Sequence, residues 1–452
     1  MKRLIFAAGL VVVGAQAASA DPCAISYGPT NPTYAPDDSA ISLFFDSFFT
    51  TLASPGTCAP SFAAHSNVPL NPDLFEVYSA DIRGSFLVPG DEAEITVRNN
   101  GTSTTGTLVD DPASAVTHFI GRDENGNLSS DIDVVLTVTG DPASELEITT
   151  IDYALAGTMN RADAETSLTQ INLAGAAPVT HLGGMNSLLT GGNLAVEGDN
   201  EVGFFAAVGS YDLGVRGRYN LAEGVSVLGG VSLVDFATTN ATARGATGAL
   251  AVRYLDPAPV ATRLYAEGGV EASLLTLGFT RSYTDSLGAH TVTGSGTGGV
   301  GGVYGKAGVL WTPDTTNQVL LSAMVKESSL GIGSYAEPVS LDNLFAADLA
   351  GSNTLYTTAK VNVDWTAALA TDVDLTASAG VGTTFANGGT TANIMGGGAT
   401  TSAVQSTIFA EYGLRLGWQP TATATIDGFV HGTTGTGIGT HVQLGAGARM
   451  RF

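Results

Sequence analysis

From about residue 200 to the C-terminus, apolar and small residues fall at every second position, in runs separated by turn residues. An alternation with that period puts one set of side chains on each face of a β-strand. Twelve runs can be marked, at about 202–209, 211–220, 225–236, 246–255, 260–283, 299–311, 317–330, 354–367, 373–386, 405–418, 422–434 and 440–452. The last, HVQLGAGARMRF, sets Val442, Leu444, Ala446, Ala448, Met450 and Phe452 against His441, Gln443, Gly445, Gly447, Arg449 and Arg451. Such runs suit tilted strands of about 9 to 11 residues crossing a bilayer.

The connections alternate too. LAEG (221–224), DPAP (256–259), TPDTT (312–316), ATD (370–372) and QPT (419–421) are short, whereas 284–298, 331–353 and 387–404 are long. Outer-membrane barrels pair short periplasmic turns with longer external loops. Every second run ends on an aromatic residue of the apolar parity: Tyr219, Tyr254, Trp311, Trp365, Trp418 and Phe452. These are expected to form a girdle at the periplasmic membrane interface.

The opposite parity carries the charge and predicts a polar lumen. Its bases are Arg216, Arg218, Arg253, Arg263, Lys306, Lys326, Lys360, Arg415, Arg449 and Arg451; its acids are Glu267, Glu271, Asp364, Asp374, Glu411 and Asp427. An Arg or Lys turned into hydrocarbon at the midplane would cost about 2 to 4 kcal/mol. A closed sheet also satisfies every backbone group and leaves no edge in lipid.

Composition agrees with a barrel, with 58 glycines and only 13% charged residues. The mean hydropathy is +0.21, although no run after the leader approaches the length of a membrane helix. MKRLIFAAGLVVVGAQAASA has a basic start, an apolar run and the small-residue site Ala18-Ser19-Ala20, so residues 1–20 read as a signal peptide. Cys23 and Cys58 are then expected to pair in an oxidising compartment.

Charge divides the mature chain. Residues 21–199 hold 24 acidic and 4 basic side chains, a net of −20, and residues 200–452 hold 18 and 12, a net of −6. The acidic part argues against nucleic-acid binding and against docking on anionic lipid. Within residues 21–155, FEVYSADI, SFLVPG, EAEITVRNN, ASAVTHFIG, DIDVVLTVTG and LEITTIDYAL read as strands of a small β-rich domain, preceded by a helix around ISLFFDSFFTTL. DENGNLSSD (123–131) has its glycine at the fourth place rather than the sixth and lacks a closing glutamate, so it reads as a hairpin turn and not a calcium loop. Residues 156–199 predict a helical linker or lumen plug, with Asn160 as cap, Asp163 and Glu165 in the first turn, Gly175 as a stop, and a second short helix from His181 to Leu189.

The fold class expected is all-β: a twelve-stranded antiparallel transmembrane barrel at 200–452, behind the segment 156–199 and the domain 21–155. The order of leader, exported region, helical segment and twelve-strand barrel ending Met450-Arg451-Phe452 resembles the autotransporter family over about residues 156–452. That resemblance implies a location in the outer membrane of a Gram-negative bacterium. It also implies a helix threading the lumen, recognition of the terminal strand by the barrel-assembly machinery, and presentation of the chain's own N-terminal domain at the cell surface. Expected partners are outer-membrane lipid and that machinery, around a monomeric barrel; no ligand for the N-terminal domain is legible.

Two alternatives differ in chemistry. An outer-membrane phospholipase resembles this chain in strand number, but its chemistry needs a Ser and a His on the outer rim, and no such pair has the outward parity here. GxSxG and HExxH are absent, so no catalytic, metal or cofactor site is expected. His431 and His441 would face each other if the last hairpin were centred near Thr436, as a polar cross-strand pair. Ten inward bases against six acids would otherwise bias an open lumen toward anions, unless an acidic helix start at Asp163 and Glu165 enters to relieve them.

Overall fold

The computed structural model describes residues 33–34, 40–44, 49–51, 57–58, 61–65, 71, 73–86, 92–99, 102–111, 113–121, 127–135, 145–209, 213–238, 241–388, 391–402 and 406–452. The signal-peptide reading, Cys23 and the 123–126 part of the hairpin reading lie outside these residues. Cys58 belongs to a short strand, Thr57–Cys58, whose backbone pairs with Val134 and Val135.

The alternating C-terminal runs form one closed antiparallel barrel of twelve strands. They are β1 (Glu201–Val208), β2 (Leu213–Ala222), β3 (Val225–Ala237), β4 (Ala241–Leu255), β5 (Thr262–Asp285), β6 (Gly288–Trp311), β7 (Asn317–Ile332), β8 (Ser352–Ala370), β9 (Val373–Asn387), β10 (Ser406–Thr421), β11 (Ala424–Gly435) and β12 (Gly439–Arg451). Closure joins β1 to β12 in register from Glu201↔Arg451 to Val208↔Leu444, and the Phe452 amide donates to the Asn200 carbonyl. Around this circuit every strand of the wall has a partner on both sides.

One long connection was misread. Residues 284–298 continue the strands β5 and β6, which pair from Thr262↔Trp311 to Asp285↔Gly288. Alternation persists there with Thr284, Thr291, Thr293, Ser295 and Thr297 outward, so the hydrophobic period fades while the backbone pairing does not. The other two long connections build a small sheet from Tyr335–Ala336, Ala347–Leu349, Thr391–Ile394 and Gly398–Thr401.

Upstream, two antiparallel sheets form the small N-terminal β-domain. One contains Ala40–Phe44, Phe49–Thr51, Leu74–Phe86, Val116–Gly121 and Glu145–Asn160; the other contains Ser61–His65, Glu92–Asn99, Thr102–Val109 and Asn127–Val135. Phe75, Val77, Ile82, Ile95, Leu108, Ile120 and Ile151 alternate inward and are fully buried. The helix expected around 41–52 is absent from the described residues of that stretch: Ala40–Phe44 and Phe49–Thr51 both pair with the strand Glu145–Asn160, and tertiary pairing overrides the local pattern.

That last strand passes directly into helix α1 (Arg161–Leu189); Asn160 stands at the N-cap position, but its side chain makes no capping hydrogen bond and donates through Nδ2 to Asp163 Oδ2 at 3.4 Å instead. At 1.5 Å per residue, α1 is about 43 Å long. It is one helix where two were expected. Every residue from Ala174 to Leu182 is buried, which a helix achieves only when it is enclosed on all sides. Gly175 does not stop it; a Cβ there would lie 2.7 Å from Tyr356 Oη and 3.1 Å from Leu330 Cδ2, so glycine is required by the narrowness of the lumen. No helix among the described residues is long and apolar enough to cross a membrane, which bears only on helical spans.

Candidate functional site

The site is the seat that the barrel makes for α1. The helix enters at the long-loop end: Arg161 N donates to Asp73 O at 2.9 Å, and Thr158 and Ser286 exchange two hydrogen bonds through Thr158 N→Ser286 Oγ and Ser286 N→Thr158 O. Gln170 clips to the β5 edge in the same two-way manner, donating to Ser282 O at 3.0 Å and accepting from Ser282 N at 2.7 Å. One apolar cluster links Phe75 and Val77 of the N-terminal domain, Leu344 and Phe345 of the loop sheet, Leu168 and Ile171 of α1, and Leu275 and Leu330 of the wall.

Further down, polar groups of the wall and, at Ser402, of the connection before β10 hydrogen-bond the helix one by one. Asn172 Nδ2 donates to Ser402 Oγ at 2.8 Å, Thr180 Oγ1 to Thr384 Oγ1 at 3.2 Å, and Asn186 Nδ2 to Glu271 Oε2 at 3.1 Å, while Thr247 Oγ1 donates back to Asn186 Oδ1 at 2.8 Å. Buried amides without such partners would each cost about 1 to 3 kcal/mol.

At the short-turn end the helix has no basic residue in its last turn. Its orphan carbonyls carry partial negative charge, and the wall supplies the cations. Arg216 Nη1 donates to Leu188 O at 3.1 Å, Arg253 Nη2 to Thr190 O at 3.0 Å, Arg415 Nε to Asn193 O at 2.7 Å, and Arg218 Nη2 to Ala195 O at 2.9 Å. Four arginines from β2, β4 and β10 thus hold the end of α1 and the segment that follows it.

The same arginines are held by carboxylates of the wall. Asp427 accepts from Arg415 at 2.7 Å and Arg449 at 2.6 Å and lies 3.6 Å from Arg216. Glu201 accepts from Arg449 at 2.7 Å and lies 3.9 Å from Arg218. Glu267 takes Arg253 at 2.8 Å together with the hydroxyls of Tyr265 and Tyr304. Lys326 pairs with Glu271 at 2.8 Å, Lys360 with Glu411 at 2.5 Å and Lys306 with Asp364 at 3.7 Å. Arg263 pairs with Glu197 at the short-turn mouth, and Asp374 meets Arg415 there; Arg451 lines the same cavity of about 300 Å³.

All sixteen inward-parity residues therefore lie inside the barrel or at its mouth, but their electrostatics differ from the expectation. The bases are not relieved by the helix start. Asp163 and Glu165 sit at the far end of α1, about 37 Å from Leu188 at 1.5 Å per residue, with Glu165 exposed. Wall carboxylates and helix-end carbonyls do that work instead. Glu201 and Glu197 were missed because they precede the first run. Arg281 was missed although it shares the parity of Arg263; it is fully buried, paired with Glu337 and donating to Phe345 O at 2.8 Å and Ser167 Oγ at 3.2 Å.

The barrel's outer face is apolar. Phe204, Leu233, Leu274, Leu321 and Ile408 are among its most exposed side chains. Tyr219, Tyr254, Trp311, Trp365, Trp418 and Phe452 are all exposed at the short-turn end, with Trp365 Nε1 donating to Asn317 Oδ1 at 3.1 Å and Trp418 Nε1 to Asp372 Oδ2 at 3.3 Å. These two indoles thus keep an apolar flank outward and a polar handle at the short-turn end.

With this geometry in view, the chain is similar to the translocator domain of the autotransporter NalP from Neisseria meningitidis, at 13% identity and a TM-score of 0.42, over 61% of this chain and 97% of that one. It is similar to the β domain of the Bordetella autotransporter BrkA at 12% identity and a TM-score of 0.35, over 56% and 99%. The transport unit of the autotransporter AIDA-I from Escherichia coli matches at 14% identity and a TM-score of 0.35, over 59% and 96%. No protein-family model and no curated protein sequence matches.

The two wall histidines are not directly opposite. The last hairpin is centred on Gly437, whose φ of +76° is a conformation glycine adopts without strain, so His431 pairs with Gln443 and His441 with Thr433. Moving the centre by one residue makes the two rings diagonal neighbours on the inner face. A third imidazole, His181 of α1, lies with His441 at a centroid distance of 5.5 Å. Among the described residues no group of His, Cys, Asp and Glu is arranged to hold a metal ion.

Proposed function

We propose that this protein is an outer-membrane barrel of autotransporter type that anchors its own acidic N-terminal β-domain outside the cell, with α1 as tether and plug. One observation carries the reading: α1 runs through the barrel continuous with the last strand of that domain, so the domain lies at the long-loop end, opposite Phe452. Short turns face the periplasm in such barrels, which leaves the domain on the outer surface. The exposed apolar faces meet outer-membrane lipid, and the aromatic ring marks the inner interface.

The domain's own route outward is read as self-translocation through the barrel, with the terminal strand recognised by the barrel-assembly machinery and the barrel acting as a monomer. Its role is presentation or binding rather than catalysis. An anion path would require α1 to leave the lumen.

The test is surface accessibility in intact cells. An epitope inserted beside Asp110 should be labelled without permeabilisation. Labelling only after the outer membrane is opened would overturn the orientation, and recovery of the full chain from the soluble fraction without detergent would overturn the barrel reading.

A further inference from the structure

The lumen holds three histidines from three elements in one place. His181 comes from α1, His431 from β11 and His441 from β12, and all three are buried. The His181 ring is 5.5 Å from that of His441 and 5.7 Å from Phe236, and the His441 ring is 5.4 Å from the same phenylalanine. His431 Cε1, Thr433 Oγ1 and Glu411 Oε1 converge on the helix at Gly184, within 2.9 to 3.4 Å of where its Cβ would stand.

For His181 the hydrogen bonding assigns which atom would accept a proton. His181 Nε2 lies 3.2 Å from Ile438 O, and a carbonyl only accepts, so Nε2 carries the hydrogen and Nδ1 is a bare lone pair. His181 Nδ1, His431 Nδ1 and His441 Nε2 are all buried without a hydrogen-bond partner. None of the three nitrogens has a hydrogen-bond acceptor that would receive an added proton.

The surrounding charges are already matched. From β5 and β7, Glu271 is paired with Lys326; from β8 and β10, Glu411 is paired with Lys360. β3 offers Phe236, β9 Thr384 and β4 Thr247, all uncharged. Added protons on the imidazoles would be excess positive charge in an enclosed space, beside two lysines whose carboxylates are engaged. The cluster stands near the outer rim, since Ile438 lies in the outer hairpin turn and His441 is the third residue of β12.

We infer that His181, His431 and His441 form a proton-operated catch, which holds α1 in the lumen when the imidazoles are neutral and loosens it when external acid protonates them. The inference rests on the plugged outer-membrane reading above. It gives the barrel two states: sealed near neutrality, and leaky in acid with α1 displaced or partly unfolded.

The experiment is planar-bilayer conductance of the full mature chain near pH 7.5 and near pH 5, beside the same chain carrying H181Q, H431Q and H441Q. Wild type should be closed near neutrality and conduct about tenfold more in acid, with the triple variant closed at both. Wild-type conductance that does not rise in acid, or a triple variant that opens equally, would overturn the catch. Large currents near pH 7.5 would instead overturn the plugged reading beneath it. Should the triple variant fail to give a heat-modifiable barrel, amide hydrogen exchange over 175–186 in detergent-folded wild type decides alone. After correction for intrinsic rates it should quicken about tenfold on acidification, and unchanged protection would refute the proposal.

Discussion

Arg415 Nε donates to the carbonyl oxygen of Asn193 at 2.7 Å, while its Nη1 donates to Asp427 at the same distance, so one fully buried guanidinium ties the end of the helical segment to the barrel wall. Removing one partner of a buried charge network leaves the others uncompensated, at a cost of about 3 to 5 kcal/mol. R415A should therefore lower the temperature at which the folded electrophoretic band converts to the unfolded one, and raise bilayer conductance near neutrality. An unchanged conversion temperature would show the network to be dispensable.

Gly175 tests the plug from the other side. Leucine there would meet Tyr356 and Leu330, and overpacking of this kind costs about 1 to 3 kcal/mol even when the surroundings adjust. G175L should assemble into membranes with near-normal yield yet conduct measurably, because the wall strands close without α1. Loss of assembly along with the seal would mean that the helix is needed to build the barrel.

Phe452 is the most exposed of the six aromatics at the short-turn end, at 72%. Replacing it with Ser removes an interface anchor while its amide bond to Asn200 O can persist. F452S should reduce barrel yield more than a change of the outward Ala446 to Ser, read by heat-modifiability in isolated outer membranes. Equal yields would remove the terminal ring from assembly.

His118 gives the N-terminal domain a pH dependence of its own. Burial pushes its imidazole down to about 4, with Nδ1 at 2.8 Å from Thr104 Oγ1 and Nε2 left without a partner. The unfolded imidazole takes up a proton near 6.5 and the folded one only near 4, so stability is complete above about pH 6.5 and falls as pH drops toward 4, by about 3 kcal/mol. Limited proteolysis of the whole folded chain should cut the domain faster at pH 4.5 than at pH 7. H118Q should flatten the difference; a slope retained in that variant would assign it elsewhere.

The barrel was legible because its two solvents are so unlike: lipid outside and a charged lumen inside force strict parity on residues such as Leu414, Arg415, Leu416 and Trp418. That parity located the inward charges but not their partners, because cross-strand register depends on turn geometry, as the shift from Thr436 to Gly437 shows. The helix was harder to read. Gly175, Pro178, Gly183 and Gly184 weaken local helix propensity, and only enclosure by Tyr356, Lys326 and His431 explains why small residues stand there. The strands Ala40–Phe44 and Phe49–Thr51 were hidden for the converse reason, since their pairing partner lies about a hundred residues away.

The passage from the strand Glu145–Asn160 into α1 contains no loop residue. A domain joined that way has no swivel. With the domain outside the cell as proposed, its outer faces meet their contacts at one height and one tilt, and a pull on the domain is delivered lengthwise to α1. The arginines gripping Leu188, Thr190 and Asn193 would then bear that load as a tug on the helix axis, so resistance to extraction under force belongs to the far end of the barrel from where the force arrives.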